Sequence, residues 1–451
     1  MSFSHQQILS NALSANEKGN FHKAIKILEP ILRSDEIITQ AEIWASTWAA
    51  VSKIFKQLDH QRLADLSERN LFNQESSDLL YLFGYELVEE GLYTLGVPVL
   101  KRAALLFPNE ERVLTELAHI YEQLKLYGEG KKCLLQSPDL VETSFMPRYL
   151  VAFYSLMTGD LQEAIDWFAG LPQLLMRIPI ESRDSYAYMY GNISHMITRG
   201  KLLEPHTPLD SYDLLGWNGV INGNVVLHRS EFGMEFMGGR YAFYQESCPQ
   251  LFSCIHSLRS LLSDLSISPQ RILSLPDRDS RILSYIAAKF FQCPVEILSE
   301  ATCSLPGLIT CYSSDFIDSE GFDLLSEACE GQVFWCHASN WTQGSIAPDF
   351  ISYFAQCASP PWGKRIGLDE KITDHSDEKP PTITKEPLEG SAEHIADTLY
   401  QTYESEPIED TTQTKKLARI LFSDGNFFHT KRTRSNQWAD SPVSSQSFSF
   451  N

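Results

Sequence analysis

Apolar residues fall at helical spacing through the first 170 positions, and short polar breaks divide them into pairs of runs. The pattern repeats on a longer scale. In "LFGYELVEEGLYTLGVPVLKRAALLFP", which ends at Pro108, steps of 34 residues align like with like. Gly84 meets Ala118 and Ala152, Tyr93 meets Tyr127 and Leu161, Gly96 meets Gly130 and Ala164, and Leu100 meets Leu134 and Phe168. Small residues recur where two helices must approach closely, and large apolar ones where each pair packs on the next. An earlier unit places Gly19, Phe21, Ala24 and Leu28 at the turn and second helix, and a looser one carries Trp48, Val51, Ser52, Phe55 and Ala64. That makes about five units over residues 5–172. "SRDSYAYMYGNISHMITRG" predicts a closing helix with Ser182 or Asp184 as N-cap and Gly200 as C-cap.

The pattern changes from about residue 203. Pro, Gly and Asn cluster over 203–222, which reads as a linker. Short strand-like runs follow at 224–230 and 240–247, separated by Gly238-Gly239, which predicts a β-hairpin-like opening at a sheet edge. Residues 249–265 form an amphipathic helical pattern. Strands are then expected at 271–275, 295–298, 307–313 and 331–338, with helices between them at "DSRILSYIAAKFFQ" and "EGFDLLSEAC". Strand–helix alternation implies parallel pairing with crossovers. Beyond "SPPWGKR" (359–365) the chain turns acidic and Pro-rich, with apolar islands at 391–403 and 415–434. These islands would either dock a partner or fold back on their own domain. The expected fold class is multidomain, α plus α/β: an N-terminal helical solenoid (1–202), a linker (203–222), an α/β domain with a mostly parallel sheet (223–365) and a largely disordered acidic tail (366–451).

The recurring small residue, turn aromatic, second small residue and closing Pro108 resemble the tetratricopeptide repeat. That resemblance implies a superhelix whose concave face binds a protein or peptide partner. Lys and Arg do not cluster at matching first-helix positions, so a clamp for acidic peptide ends is not expected.

Charge narrows the partners. With 37 Lys+Arg against 58 Asp+Glu, the net charge of −21 argues against nucleic acid or an anionic membrane. No apolar run reaches membrane-spanning length and the N-terminus lacks signal-peptide character, so the expected location is the cytoplasm. Eight of the nine Cys lie between Cys248 and Cys357 without metal-knuckle or disulfide-scaffold spacing. No metal and no cofactor are expected on that ground. P-loop, GxSxG and HExxH motifs are absent.

Three stretches qualify as candidate sites. The first is Pro276-Asp277-Arg278-Asp279-Ser280-Arg281, which follows a strand and opens a helix, the position where α/β folds bind ligands. It has no Gly, and two carboxylates would repel phosphate. Asp279 or Ser280 can serve as N-cap, which leaves Asp277 and Arg278 as the charges that capping does not explain. The second is "CYSSDFIDSEGF", with Ser313, Ser314 and Asp315 after a buried strand. Together the two loops distantly resemble the type I phosphoribosyltransferases over residues 270–340. The resemblance implies a nucleotide or sugar-phosphate ligand, although Ser313-Ser314 stand where an acidic pair is expected. The third is Cys336-His337. Neighbours on a strand point to opposite faces, so they do not form a nucleophile–base pair. His337 would have to work with Asp315 or another loop residue. Asp277, Asp315 and His337 are thus the catalytic candidates, and Asp277, Arg278, Asp279, Ser280, Arg281, Ser313, Ser314 and Asp315 the ligand candidates. The leading expectation is a cytoplasmic interaction scaffold with a non-catalytic α/β domain. The rival is a nucleotide or sugar-phosphate enzyme or sensor with the repeats as a recruitment arm.

Overall fold

The computed structural model describes residues 4–72, 75–230, 237–367, 382–403, 412–423 and 427–443. It divides into two units, Met1–Ile193 and Ser194–Asn451.

The first unit is a series of helical hairpins. Its helices are α1 (His5–Glu17), α2 (Phe21–Leu32), α3 (Glu36–Thr39), α4 (Ala41–Gln57), α5 (Gln61–Phe72), α6 (Ser77–Glu89), α7 (Tyr93–Leu106), α8 (Glu111–Gln123), α9 (Tyr127–Leu134), α10 (Pro138–Thr143), α11 (Phe145–Met157), α12 (Leu161–Phe168) and α13 (Leu171–Leu175). The pairs α1–α2, α4–α5, α6–α7, α8–α9 and α11–α12 pack together. The first helices of the last three pairs begin at Ser77, Glu111 and Phe145, each 34 residues after the one before. These are tetratricopeptide-like repeats. The short helix α3 inserted before the second pair accounts for the irregular spacing there.

The turns repeat as faithfully as the helices. Gly19, Asp59, Gly91, Lys125 and Gly159 all adopt positive φ, between 60° and 82°, and each stands two residues before the second helix of its pair. The following residue donates to the carbonyl five positions back in every case: Asn20 to Ala15, His60 to Phe55, Leu92 to Leu87, Leu126 to Tyr121 and Asp160 to Ser155. This bond satisfies a carbonyl the helix end would otherwise leave unpaired. Between helices the small residues permit close approach. A Cβ on Gly84 would lie 2.4 Å from Leu100 Cδ2, one on Gly96 2.6 Å from Ile120 Cδ1, and one on Gly130 2.8 Å from Tyr154 Cε2.

The closing helix, α14 (Arg183–Leu203), follows a 3-10 turn at Ile180–Ser182. Tyr186 meets Phe145 edge-on at 5.2 Å, and Tyr190 stacks on Phe168 at 5.1 Å. The helix runs through Gly200 to Leu203 rather than stopping at that glycine.

In the second unit, α15 (Leu214–Asn222) lies inside the stretch read as a linker, and all nine of its residues are buried. Its sequence, LLGWNGVIN, has no polar face and therefore no amphipathic period to betray it. Asp213 caps it by accepting from Gly216 N at 2.9 Å. The remaining elements are β1 (Val225–Val226), β2 (Tyr241–Gln245), α16 (Cys248–Asp264), β3 (Ile272–Ser274), α17 (Arg278–Phe291), β4 (Val295–Ile297), β5 (Gly307–Ser313), α18 (Ser319–Ser326), β6 (Glu327–Ala328), β7 (Gln332–Ser339), β8 (Ser345–Ile346), β9 (Phe350–Ser359), β10 (Arg365–Gly367), β11 (Thr382–Lys385), α19 (Ala392–Tyr400), α20 (Thr412–Leu421), β12 (Arg432–Thr433) and β13 (Asn436–Gln437). No described helix is long and apolar enough to cross a membrane.

The main sheet runs β1-β9-β7-β5-β3-β4, with β2 also paired to β9, and all seven strands are parallel. Among the described residues β1 and β2 each pair with β9 rather than with one another, so the expected hairpin-like opening is not found there. β1 pairs with Phe350–Ile351 and β2 with Ala355–Ser359, so the two meet successive segments of β9. Leu308, Tyr312, Val333, Trp335 and Phe350 face a core built with α16, α17 and α19, while Leu273, Ile309, Cys311, Phe334 and Cys336 form the core of the opposite face.

Both islands of the tail fold back on this unit. Ile395 and Leu399 of α19 are buried in the sheet's larger core. Tyr403 hydrogen-bonds His256 at 2.5 Å, and Phe422 and Phe428 pack on Phe350. β12 and β13 add antiparallel partners to β6 and β8. Arg432 donates to both oxygens of Asp349 at 2.8 Å, and Trp438 N donates to Asn222 Oδ1 at 2.8 Å. The acidic stretch after residue 366, expected to be largely disordered, lies mostly outside the described residues.

Candidate functional sites

Strand order places the first candidate. The chain leaves β3 for β4 on one side and returns to β5 on the other, so the direction of winding reverses between β3 and β5. Ligands of open α/β sheets sit at such a switch point, beyond the carboxyl ends of the strands. The 276–281 and 313–315 segments both lie there, and Ser280 Oγ joins them by accepting from Tyr312 N at 2.9 Å.

Most of the candidate side chains here hold protein partners. The N-cap of α17 is Asp277, not Asp279 or Ser280: its Oδ1 accepts from Ser280 N at 2.8 Å. Capping therefore explains the charge that seemed free of it. Asp277 Oδ2 is buried with no hydrogen-bond partner, and burial raises the carboxyl above its ordinary value. Arg278 donates to Leu388 O at 2.5 Å, and Asp279 accepts from Trp362 Nε1 at 2.8 Å. Arg281 is exposed. In the second loop, Ser313 Oγ accepts from Asp315 N at 3.3 Å and Ser314 Oγ from Asn340 N at 2.7 Å, while Asp315 accepts from Asn340 Nδ2 at 2.8 Å. Asn340 thus latches the loop after β5 to the end of β7.

His337 belongs to another cluster. It is fully buried on β7, its Nδ1 2.9 Å from Ser352 Oγ and its Nε2 2.9 and 3.0 Å from the two oxygens of Glu246, also fully buried. Trp335 Nε1 donates to Ser352 Oγ at 2.9 Å, and Ser352 meets His337 Nδ1 with its hydroxyl hydrogen or its second lone pair according to the ring's tautomer. The chain Ser–His–Glu has the connectivity of a hydrolytic triad, but none of the three reaches solvent, so it offers no substrate an approach. Cys254, Glu246 and His337 bring one potential ligand atom each within 4.8 Å of one another. The rings of Tyr312 and Tyr353 lie 5.4 and 5.0 Å from that of His337. Burial and the Glu246 carboxylate push both phenols well above their ordinary range, and neither hydroxyl reaches a hydrogen-bond partner at ordinary length. Sequence reasoning singled out His337 but missed Glu246 and Ser352. Each reads as an ordinary polar residue in a strand pattern, and the signal that unites them is spatial.

In the repeat unit, a stripe of side chains runs along α6 and α8. Tyr81 and Tyr85 lie one turn apart, with ring centroids at 6.1 Å, and Tyr85 is 37% exposed. Glu89 follows one turn later and raises the Tyr85 phenol. From α8, the Arg112 guanidinium sits 4.9 Å over the Tyr81 ring and 2.5 Å from Asp78. Glu116 is raised above its ordinary value by burial, and by Glu89, with His119 opposing.

No family model matches the chain, and no curated protein matches it in sequence. Among solved structures, MamA AMB-1 covers 39% of this chain and 94% of its own, at 16% identity and a TM-score of 0.25. MamA MSR-1 covers 39% and 99%, at 17% identity and a TM-score of 0.24. Neither the first of these likenesses nor the second extends to the phosphoribosyltransferase resemblance, which no comparison supports.

Proposed function

We propose that the chain is an interaction protein whose repeat unit recruits a protein partner through a basic segment of that partner. The observation that carries this reading is the stripe Asp78, Tyr81, Tyr85, Glu89 and Glu116. It offers aromatic faces beside carboxylates, and it already holds one guanidinium, that of Arg112, over Tyr81 and against Asp78. An Arg or Lys supplied in trans would find the same contacts at Tyr85, Glu89 and Glu116, by cation–π attraction and ion pairing. Charge favours this occupant: residues 1–193 carry 25 Asp+Glu against 17 Lys+Arg.

The test is a peptide array probed with the full chain, followed by titration of the best binders. Lys/Arg-rich peptides are expected to outcompete acidic ones, with affinity falling as salt rises. Tyr85→Ala together with Glu116→Gln is expected to weaken binding by about tenfold or more, the range of an interface hot spot. Equal binding of acidic and basic peptides, or an unchanged affinity in that variant, would sink the idea. The rival reading, a sugar-phosphate sensor at the strand ends, has less support because Asp279, Ser280 and Asp315 are already bonded within the protein. A thermal-shift panel of nucleotides and sugar phosphates separates the two readings.

A further inference from the structure

We propose that the α/β unit holds a structural transition-metal ion, zinc by its donor chemistry, bound by Glu246, Cys254 and His337. A carboxylate, a thiol and an imidazole together suit a borderline-soft divalent ion better than magnesium or calcium, which take oxygen alone. The three donor atoms lie no more than 4.8 Å apart. An ion among them needs the Glu246–His337 contact to open slightly and Cys254 to draw in, to reach the ~2.0–2.3 Å bonds that zinc makes to oxygen, nitrogen and sulfur.

Three further features fit a metal better than a bare hydrogen-bond network. The first is charge. Glu246 and His337 are both completely buried, and a sealed carboxylate is costly unless a cation compensates it. The second is the pair of tyrosines. Tyr312 and Tyr353 are 1% exposed, flank His337, and have no hydrogen bond of ordinary length from either hydroxyl. Buried hydroxyls of that kind mark a ligand or water that completes the site. A tetrahedral ion has a fourth position for a phenol oxygen or a water held between the two phenols. The third is the support behind the histidine. With Nε2 on the metal, Nδ1–H donates to Ser352 Oγ, which Trp335 Nε1 already fixes at 2.9 Å. A metal-bound histidine ordinarily has its second nitrogen held in this way.

The placement explains why the donors come from distant stretches. Glu246 follows β2 at the sheet edge, Cys254 lies on α16 and His337 on β7. An ion there would join an edge strand, a covering helix and a central strand. The role is structural, because the donors are sealed from solvent.

The experiment uses the untagged full chain, expressed in minimal medium supplemented with zinc or with cobalt and then dialysed. Elemental analysis is expected to find one metal per chain. The cobalt form is expected to show a near-ultraviolet thiolate-to-metal charge-transfer band. Cys254→Ser should lose the band with its far-ultraviolet circular dichroism unchanged. Ser352→Ala should keep the band but yield its metal to a competing chelator about 10- to 100-fold more readily, the range for loss of such a supporting bond. A wild-type chain that retains neither metal overturns the proposal, as does a Cys254→Ser chain with undiminished metal and band. If Cys254→Ser fails to fold, the wild-type metal content and band decide alone.

Discussion

The two units handle buried polar groups in opposite ways. In the repeat unit the helix ends are settled within a few residues, by the helix itself or by the turn bond that follows each positive-φ residue. Its helices meet through small residues, Gly84 against Leu100 and Gly130 against Tyr154. In the α/β unit, by contrast, the interior is pinned by side-chain bonds between remote parts of the chain: Glu246 to His337, Asn340 to Ser314, Arg432 to Asp349. The first kind of order is local and repeated. The second kind is long-range and made once. Damage should therefore be graded and local in the repeats, and abrupt in the α/β unit.

The largest effect is expected at His337. His337→Ala strips Glu246 of its partner in a site with no solvent to replace it. Removing one partner of a buried pair costs about 3–5 kcal/mol. Chemical denaturation followed by circular dichroism should show the α/β transition moved to lower denaturant and the repeat transition in place. Glu246→Gln should cost less, since an amide oxygen still accepts from Nε2. If His337→Ala shifts neither transition, the buried network is not what holds this unit.

Next in size is overpacking in the repeats. Gly84→Val puts a branched side chain where even a Cβ would stand 2.4 Å from Leu100. The expected cost is about 1–3 kcal/mol, the usual range for forcing extra carbon into a packed interface. Hydrogen exchange should localise the loss to α6, α7 and their neighbours. A loss of protection that extends to β5 and β7 would contradict the division into local and long-range order.

Asp277 tests a smaller, local detail of the α/β unit. Asp277→Ala removes the cap of α17 and should cost about 1 kcal/mol. Asp277→Asn keeps a good cap and removes the charge on the oxygen that has no partner. The sign of the pH effect follows from burial, which raises this carboxyl. The folded chain holds the proton more tightly than the unfolded one. That contribution is full below the ordinary aspartate value near ~4 and is lost as pH rises through the raised value. The stability of wild type relative to Asp277→Asn should therefore fall across that window. A flat difference from acid to neutral pH would show that the carboxyl is not desolvated.

How far this contrast was legible in the sequence follows from the same physics. The repeats were readable because each determinant lies within about 34 residues of its copy, and a periodic pattern states itself several times. Strands β3, β4, β5 and β7 were readable as apolar runs before and after helical ones. β9 was not anticipated, although β1, β2 and β7 all pair with it. Its "FISYFAQCAS" mixes Tyr, Ser and Gln into the apolar run, because Ser352 serves the His337 network rather than the packing. Helix α15 was hidden by its Gly and Asn residues. Asn222 at its end and Asn224 just beyond it bond Trp438 and Gln437, more than 200 residues away. Of the candidate residues, Asp277 was found but misassigned. The cap depends on which residue is extended, and Asp277, with φ −63° and ψ 157°, precedes the helix by one position.

A gain rather than a loss is expected in the fourth turn. Lys125 holds φ at 60°, where Gly19, Gly91 and Gly159 serve the equivalent turns. A side chain pays about 1–2 kcal/mol in that conformation. Glycine avoids that strain but loses about 0.4–1 kcal/mol to the greater freedom of its unfolded chain. Lys125→Gly should thus raise the stability of the repeat unit by about 0.5–1 kcal/mol. Asp59→Gly should gain less, because Asp tolerates the left-handed region better than Lys. A loss in both variants would mean that the turn residues do more than set the turn.

The smallest expected change is at Glu116, and it separates folding from recruitment. Burial and the neighbouring Glu89 hold its carboxyl above the ordinary range. The ionised form is therefore disfavoured on folding, and stability contributed by this group declines as pH rises from the ordinary glutamate value through the raised one. Glu116→Gln removes that penalty, so the variant should be a few tenths of a kcal/mol more stable than wild type at neutral pH, within the range of substitutions away from a core. The same change deletes a carboxylate that a partner's basic side chain would meet beside Tyr85. A protein that is slightly more stable yet binds basic peptides more weakly would place the stripe under selection for binding rather than for the fold. Matched losses in stability and in binding would instead mean that Glu116 supports the packing of α8 on α6, and the recruiting surface would have to be sought elsewhere on the repeats.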